Sequence, residues 1–133
     1  MTPGTTVLLE RIERREAVIG IVGLGYVGLP LMLAATARGF RVVGFDIDRP
    51  KVKGLNRGRS PLAHVPGALI AEAAGRGLFT ATAGIAELGV ADAVLVCVPT
   101  PLDRHREPDL SYVERTVREL APVLGAGALL VPG

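Results

Sequence analysis

The sequence predicts an α/β domain, a doubly wound parallel sheet of about five strands with flanking helices. Three observations predict it. Short apolar runs rich in Val and Ile recur at Ala17–Val22, Arg41–Phe45 and Ala91–Val98, and such runs read as strands buried on both faces. Segments with helical periodicity lie between them, and alternation of the two element types argues right-handed crossovers between parallel strands. The first run also breaks into Gly23-Leu24-Gly25-Tyr26-Val27-Gly28, a G-x-G-x-x-G spacing that opens a helical pattern.

Taken in order, Met1–Pro3 carry no pattern. Thr5–Glu16 reads as a lead-in helix on the domain edge, with Val7, Leu8 and Ile12 on one side and the charge run as a solvated face. Residues 17–133 form the main unit. After the first strand, a helix is expected from about Val27 to Arg38, stopped by Gly39 as a glycine just past a helix end should. The second strand, Arg41–Phe45, ends at Asp46. Asp48 is placed to cap the next helix, with Pro50 in its first turn, and that helix runs to about Asn56 and stops at Gly58. Arg59-Ser60-Pro61 breaks the pattern. Pro66 to Arg76 resumes it, Leu78–Thr82 is a short third strand, and Gly84–Leu88 is a small helical turn. The fourth strand, Ala91–Val98, stops at Pro99-Thr100-Pro101. Ser111 and Glu114 fit a capping box for a helix reaching about Leu124, with Val113, Val117, Leu120 and Val123 on one stripe. Ala128–Val131 begins a fifth strand.

The composition excludes several function classes. At 133 residues the chain is one domain with room for a core. Fifteen basic residues stand against 13 acidic ones, and only five residues are aromatic, none of them Trp. That balance is neither a nucleic-acid footprint nor a base-stacking platform. No apolar segment has the length and purity of a membrane span, and the first residues make no secretory signal. The single cysteine, Cys97, excludes an internal disulfide and fits a reducing cytoplasm. Mean hydropathy of +0.40 is high, which leaves apolar surface for a partner, a further part of a protein, or a second copy.

The glycine spacing has a physical reading. Gly23 makes a tight turn, Gly25 lets a pyrophosphate approach the backbone, and Gly28 lets the helix pack close to the strand. The N–H groups and positive dipole end of that helix suit an anion. Asp46 stands 18 residues past Gly28, near the separation of about 20 expected of an acid that hydrogen-bonds an adenosine ribose. The plainer readings are a ligand-free β-α-β turn and a simple cap residue. A carboxylate at Asp46 repels a 2′-phosphate and favours NAD, while the basic cluster Arg49, Lys51, Lys53, Arg57 and Arg59 is the argument for NADP. Lys51 reaches back towards the ribose or is a solvated helix charge. The prolines around Thr100 free its hydroxyl to face a ligand. Cys97 reads as a small buried hydrophobe, His64 and His105 as surface residues with no acid or cysteine partner, and no metal-ligand spacing is present.

Gly23-Leu24-Gly25-Tyr26-Val27-Gly28-Leu29-Pro30 resembles the opening motif of the nucleotide-sugar dehydrogenases, the UDP-glucose and GDP-mannose dehydrogenase family. Phe45-Asp46-Ile47-Asp48, Lys51-Val52, Leu55-Asn56-x-Gly58, Ser60-Pro61 and Val98-Pro99-Thr100-Pro101-Leu102 continue the likeness in order. Arg106-Glu107-Pro108-Asp109-Leu110-Ser111-Tyr112-Val113 is similar to the branch that oxidises UDP-N-acetylhexosamines, of which UDP-N-acetylglucosamine 6-dehydrogenase is one. The resemblance covers about Ala17 to Leu124. It implies an NAD-binding Rossmann domain. Gly23, Gly25, Tyr26, Val27 and Gly28 would hold the pyrophosphate, and Asp46, Ile47 and Lys51 the adenosine side. Val98, Pro99 and Thr100 would line the nicotinamide half. It also implies oxidation of a sugar 6-hydroxyl to a carboxylate in two NAD-dependent steps through a cysteine thioester. The cysteine nucleophile, its lysine and asparagine helpers and the sugar-nucleotide domain belong to the C-terminal part of family members. The chain is expected to lack them, to carry no catalytic residue, to be inactive alone and to meet a UDP-sugar only with that part. It also reads Leu129-Leu130-Val131-Pro132-Gly133 where the family has a Glu-Ser-Thr segment before Pro-Gly-Thr. The other readings are a stand-alone dinucleotide-binding module, an NADP-dependent hydroxyacid-type domain and an S-adenosylmethionine enzyme.

Overall fold

The computed structural model describes residues 10–97, 111–123 and 129–132. Five strands, β1 (Val18–Val22), β2 (Arg41–Phe45), β3 (Phe79–Thr82), β4 (Ala93–Val96) and β5 (Leu129–Pro132), make one sheet in the order β3-β2-β1-β4-β5. Every pairing is parallel. Helices α1 (Gly28–Ala37), α2 (Arg49–Asn56) and α3 (Gly67–Gly75), a 3-10 helix at Ile85–Val90 and helix α4 (Ser111–Leu120) connect the strands. The chain steps outward from β1 to β2 and β3, then crosses to β4 and β5 on the other side. The order therefore reverses beside β1, where open α/β sheets bind ligands beyond the strand ends.

Period-2 alternation sends the strand side chains to two cores. Ile21 and Val42 join Leu29 and Met32 of α1, Val52 and Leu55 of α2, and Ile70 and Ala73 of α3 on one face. Val18, Val22, Val43 and Phe45 join Leu88 of the 3-10 helix, Val94, Val96 and Leu120 of α4 on the other. A sheet buried on both faces explains why its strands read as apolar runs instead of alternating ones. Gly39, at φ +88°, stops α1 where the sequence places the stop. The side chain of Asp48 caps α2 by accepting the Lys51 N–H at 3.1 Å, with Pro50 in the first turn. The capping-box expectation at Ser111 concerns a side chain outside the described residues. On α4 the buried positions include Thr116 as well as Leu120.

Two sequence readings need correction. The fourth strand begins at Ala93, not Ala91, because Asp92 turns its carboxylate to the Val18 N–H at 2.7 Å while its own N–H donates to the Val18 carbonyl at 2.8 Å. The charges of the lead-in are not all solvated. Residues 10–13 are helical, and Arg11 reaches Asp92 at 3.1 Å and donates to the Glu16 carbonyl at 2.9 Å. An ion pair thus ties the lead-in to the starts of β1 and β4.

Asn56 has a role that its position near a helix end conceals. Its amide donates to the Ala81 carbonyl at 2.8 Å and its oxygen accepts the Ala81 N–H at 2.9 Å. The side chain pairs with the outer edge of β3 as a neighbouring strand would, and blunts that edge. Asn56→Ala is expected to cost about 1–3 kcal/mol by orphaning both groups. The measurement is a melting temperature several degrees below wild type, and an unchanged one overturns the assignment.

Candidate functional site

The site is assembled at the carboxyl ends of β1 and β2. The Gly23 N–H donates to the Phe45 carbonyl at 2.8 Å, and Gly23 then turns with φ +97°, a conformation that suits only glycine without strain. Leu24 follows with its side chain fully buried, over Gly44 of β2. An added Cβ at Gly44 would lie 2.6 Å from Leu24 Cδ2, so the bare backbone of Gly44 makes the socket that Leu24 fills. With Leu24 turned in, the next residues turn out. Gly25 faces open space, with no atom within 4 Å of where its Cβ would be. Tyr26 and Val27 are 75% and 56% exposed, and α1 starts at Gly28.

Among the described residues no capping side chain and no acid competes for the helix mouth: no side chain caps α1 at Val27 and no acid stands in its first turn. An acid there would repel a phosphate and a capping oxygen would compete for its N–H groups. At Gly28 the constraint is the reverse. A Cβ there would overlap the Gly23 carbonyl oxygen and press Ile21 Cγ2 at 3.2 Å, so only glycine permits the helix to leave the strand this closely.

Asp46 extends from the end of β2 toward the same loop. Its Oδ2 accepts the Leu24 N–H at 3.0 Å and pairs with Lys51 Nζ at 3.2 Å, and its Oδ1 accepts the Asp48 N–H at 2.9 Å. Its side chain is 11% exposed. Burial pushes the carboxyl pKa up, but the Asp48 and Leu24 N–H groups and the Lys51 ammonium outweigh that and hold it below the usual value. The group is an anion at neutral pH. A carboxylate offers about four acceptor positions, of which these partners take three, so one remains for a sugar hydroxyl.

The structure therefore brings together Gly23, Gly25, Tyr26, Val27, Gly28, Asp46 and Lys51, with Ile47 65% exposed beside them. Lys51 is not a free solvated charge but the counter-ion of Asp46. Val98, Pro99 and Thr100 lie outside the described residues. The residue before them is placed: Cys97 N–H donates to the Val22 carbonyl at 2.7 Å, so the chain leaves β4 next to the Gly23 turn. Burial raises the Cys97 thiol, which suits a packing role. Among the described residues no group of three His, Cys, Asp or Glu is placed to hold a metal, and no helix is long and apolar enough to cross a membrane. Sequence reasoning missed two residues here. Leu24 carries the signal of an apolar residue between two glycines. His64, which stacks on Tyr26 with ring centroids 5.5 Å apart, carries none, since its partner is distant in the chain.

A glycine turn open over Gly25, an uncapped helix mouth and a fixed carboxylate on the adjacent strand define a dinucleotide-binding domain of the doubly wound class. The chain belongs to the UDP-glucose/GDP-mannose dehydrogenase family: residues 17–132 match its NAD-binding domain. Among its relatives, the UDP-N-acetyl-D-mannosamine dehydrogenase of Escherichia coli (strain K12) is 40% identical over 116 residues, 86% of this chain and 27% of that protein. The NDP-N-acetyl-D-galactosaminuronic acid dehydrogenase of Ralstonia nicotianae is 40% identical over 114 residues, 85% of this chain and 26% of that protein. The solved UDP-D-ManNAc dehydrogenase of Pyrococcus horikoshii superposes with a TM-score of 0.76 at 34% identity, covering 86% of this chain and 28% of that one. The chain spans about a quarter of the length of the curated relatives it matches.

Proposed function

We propose that this chain supplies the NAD-holding part of a nucleotide-sugar 6-dehydrogenase acting on a UDP-N-acetylhexosamine. The observation that carries the cofactor assignment is the Asp46 carboxylate bonded to the Leu24 N–H, which joins the acid on β2 to the glycine turn on β1. In this reading the backbone at Gly23, Gly25 and Tyr26–Gly28 faces the diphosphate. Asp46 accepts from the adenosine ribose, with Lys51 balancing its charge and Ile47 against the adenine side. Val98, Pro99 and Thr100 line the nicotinamide side. When bound, NAD supplies the hydride acceptor, and the residues of this chain bind and orient it. The sugar class is supported by the names of the relatives, an N-acetylmannosamine and an N-acetylgalactosaminuronic acid dehydrogenase, each at 40% identity. The reading assigns no catalytic residue to these 133 residues. Leu69 and Val90, 45% and 56% exposed, leave apolar surface for the remainder of such an enzyme or for a second copy. The lone cysteine fits a reducing cytoplasm, where this reading puts the chain.

The test is a calorimetric titration of the chain with NAD, NADP and S-adenosylmethionine. NAD is expected to bind more tightly than either rival, and equal affinity for the three overturns the cofactor reading. Adding UDP-N-acetylmannosamine or UDP-N-acetylglucosamine to the NAD-loaded chain is expected to yield no NADH. Turnover by this chain overturns the assignment of catalysis to other parts of the enzyme.

A further inference from the structure

Tyr26 sits at the mouth of the candidate site and is 75% exposed. Nothing in the glycine turn itself restrains such a ring, since its neighbours Gly25 and Val27 are open or exposed. Its restraint comes from outside the turn. The His64 imidazole lies over the Tyr26 ring at a centroid distance of 5.5 Å, and the two planes are inclined by only 14°.

The support behind His64 is firm. It belongs to the connection between α2 and α3. Within it, Ser60 Oγ donates to the Leu62 carbonyl at 2.8 Å and accepts the Leu62 N–H at 3.1 Å. The Val65 N–H closes the turn on the Leu62 carbonyl at 3.2 Å. Val65, the next residue in the chain, is buried among Leu29, Met32 and Ile70, and Leu62 packs against the same core. With Val65 anchored in, His64 is turned out. The Tyr26 ring therefore meets, face to face beside the start of α1, a side chain carried on a well-held stretch of backbone.

We propose that His64 is a positioning residue for the cofactor: its imidazole serves as a plate that holds Tyr26, and through it the 24–27 backbone, in the arrangement that receives the diphosphate. The proposal rests on the reading that the glycine turn binds NAD. The physical gain is preorganisation. A ring already stacked, with its backbone already set, loses less freedom on binding than a free one. Stacked aromatic pairs couple strongly enough to change an affinity by about three- to tenfold.

The experiment is a fluorescence titration with NADH, with ADP-ribose and adenosine titrated by calorimetry. The proteins are wild type, His64→Ala, His64→Phe, Tyr26→Ala and the double variant Tyr26→Ala/His64→Ala. His64→Ala is expected to weaken NADH and ADP-ribose about three- to tenfold and to leave adenosine, which has no diphosphate, unchanged. His64→Phe keeps a flat ring and is expected to restore binding to within about twofold of wild type. In the Tyr26→Ala background, adding His64→Ala is expected to change nothing, because the plate has lost its ring. Wild-type affinity in His64→Ala overturns the proposal. So does a His64→Phe variant as weak as His64→Ala, or an equal extra loss in the Tyr26→Ala background. If wild type itself fails to bind NADH, the cofactor reading falls instead.

Discussion

Gly28→Ala is expected to lower the melting temperature by roughly 10 °C or more and to abolish NAD binding, since overpacking against fixed backbone costs about 3 kcal/mol or more. The added methyl has nowhere to go. It meets the Gly23 carbonyl on one side and Ile21 Cγ2, itself fully buried, at 3.2 Å on the other. Relief requires α1 to move off β1, and that movement also dismantles the turn. Gly25→Ala is the matched control, because its methyl enters open space. That variant is expected to melt with wild type yet bind NAD about tenfold or more weakly, the methyl standing where a phosphate must approach. Thermal melts and calorimetry on the pair separate the two roles. A Gly28→Ala protein that melts and binds as wild type would contradict the close crossing, and a Gly25→Ala protein with full affinity would remove the diphosphate from this turn.

Asp46→Ala is expected to weaken NAD by roughly tenfold to 150-fold, the loss of a hydrogen bond to a charged acceptor being about 1.5–3 kcal/mol. The same change removes the acceptor for the Leu24 and Asp48 N–H groups and leaves Lys51 without its counter-ion. It is therefore expected to loosen the glycine turn as well as to remove the proposed ribose contact. A pH signature follows. The Asp46 carboxyl titrates below its ordinary 3.8 in the folded chain, burial opposing and the two N–H groups and Lys51 prevailing. A group depressed on folding binds more protons when unfolded, so its stabilisation is present above 3.8 and lost as pH falls through the folded value. The gap in melting temperature between wild type and Asp46→Asn is therefore expected to hold steady above about pH 5 and to shrink below about pH 4. A gap that persists unchanged in acid would show that the carboxylate charge is not what those partners bind.

Much of the site was legible because its determinants are local. The tight Gly23 turn, the mouth of α1, the Gly39 stop and the Asp48 cap depend on residues a few positions apart, so the chain displays them in order. Asp46 was legible because a strand–turn–helix–strand unit fixes the spacing between a glycine turn and the next strand end. What the sequence could not display are contacts between elements with no fixed separation. The Asn56 clasp on β3, the Arg11–Asp92 tie and the Tyr26–His64 stack each join residues whose types would suit any polar surface.

The sequence alone determined the parallel sheet, its order of helices and strands, and the placement of a glycine turn and an acid on adjacent strand ends. It did so because burial on both faces and backbone sterics leave their mark on residue type. Tertiary structure alone decided that Leu24 plugs the Gly44 socket, that Lys51 pairs with Asp46, and that His64 stacks on Tyr26. Those outcomes turn on which side chains packing brings within a few ångströms, and no pattern along the chain encodes that distance.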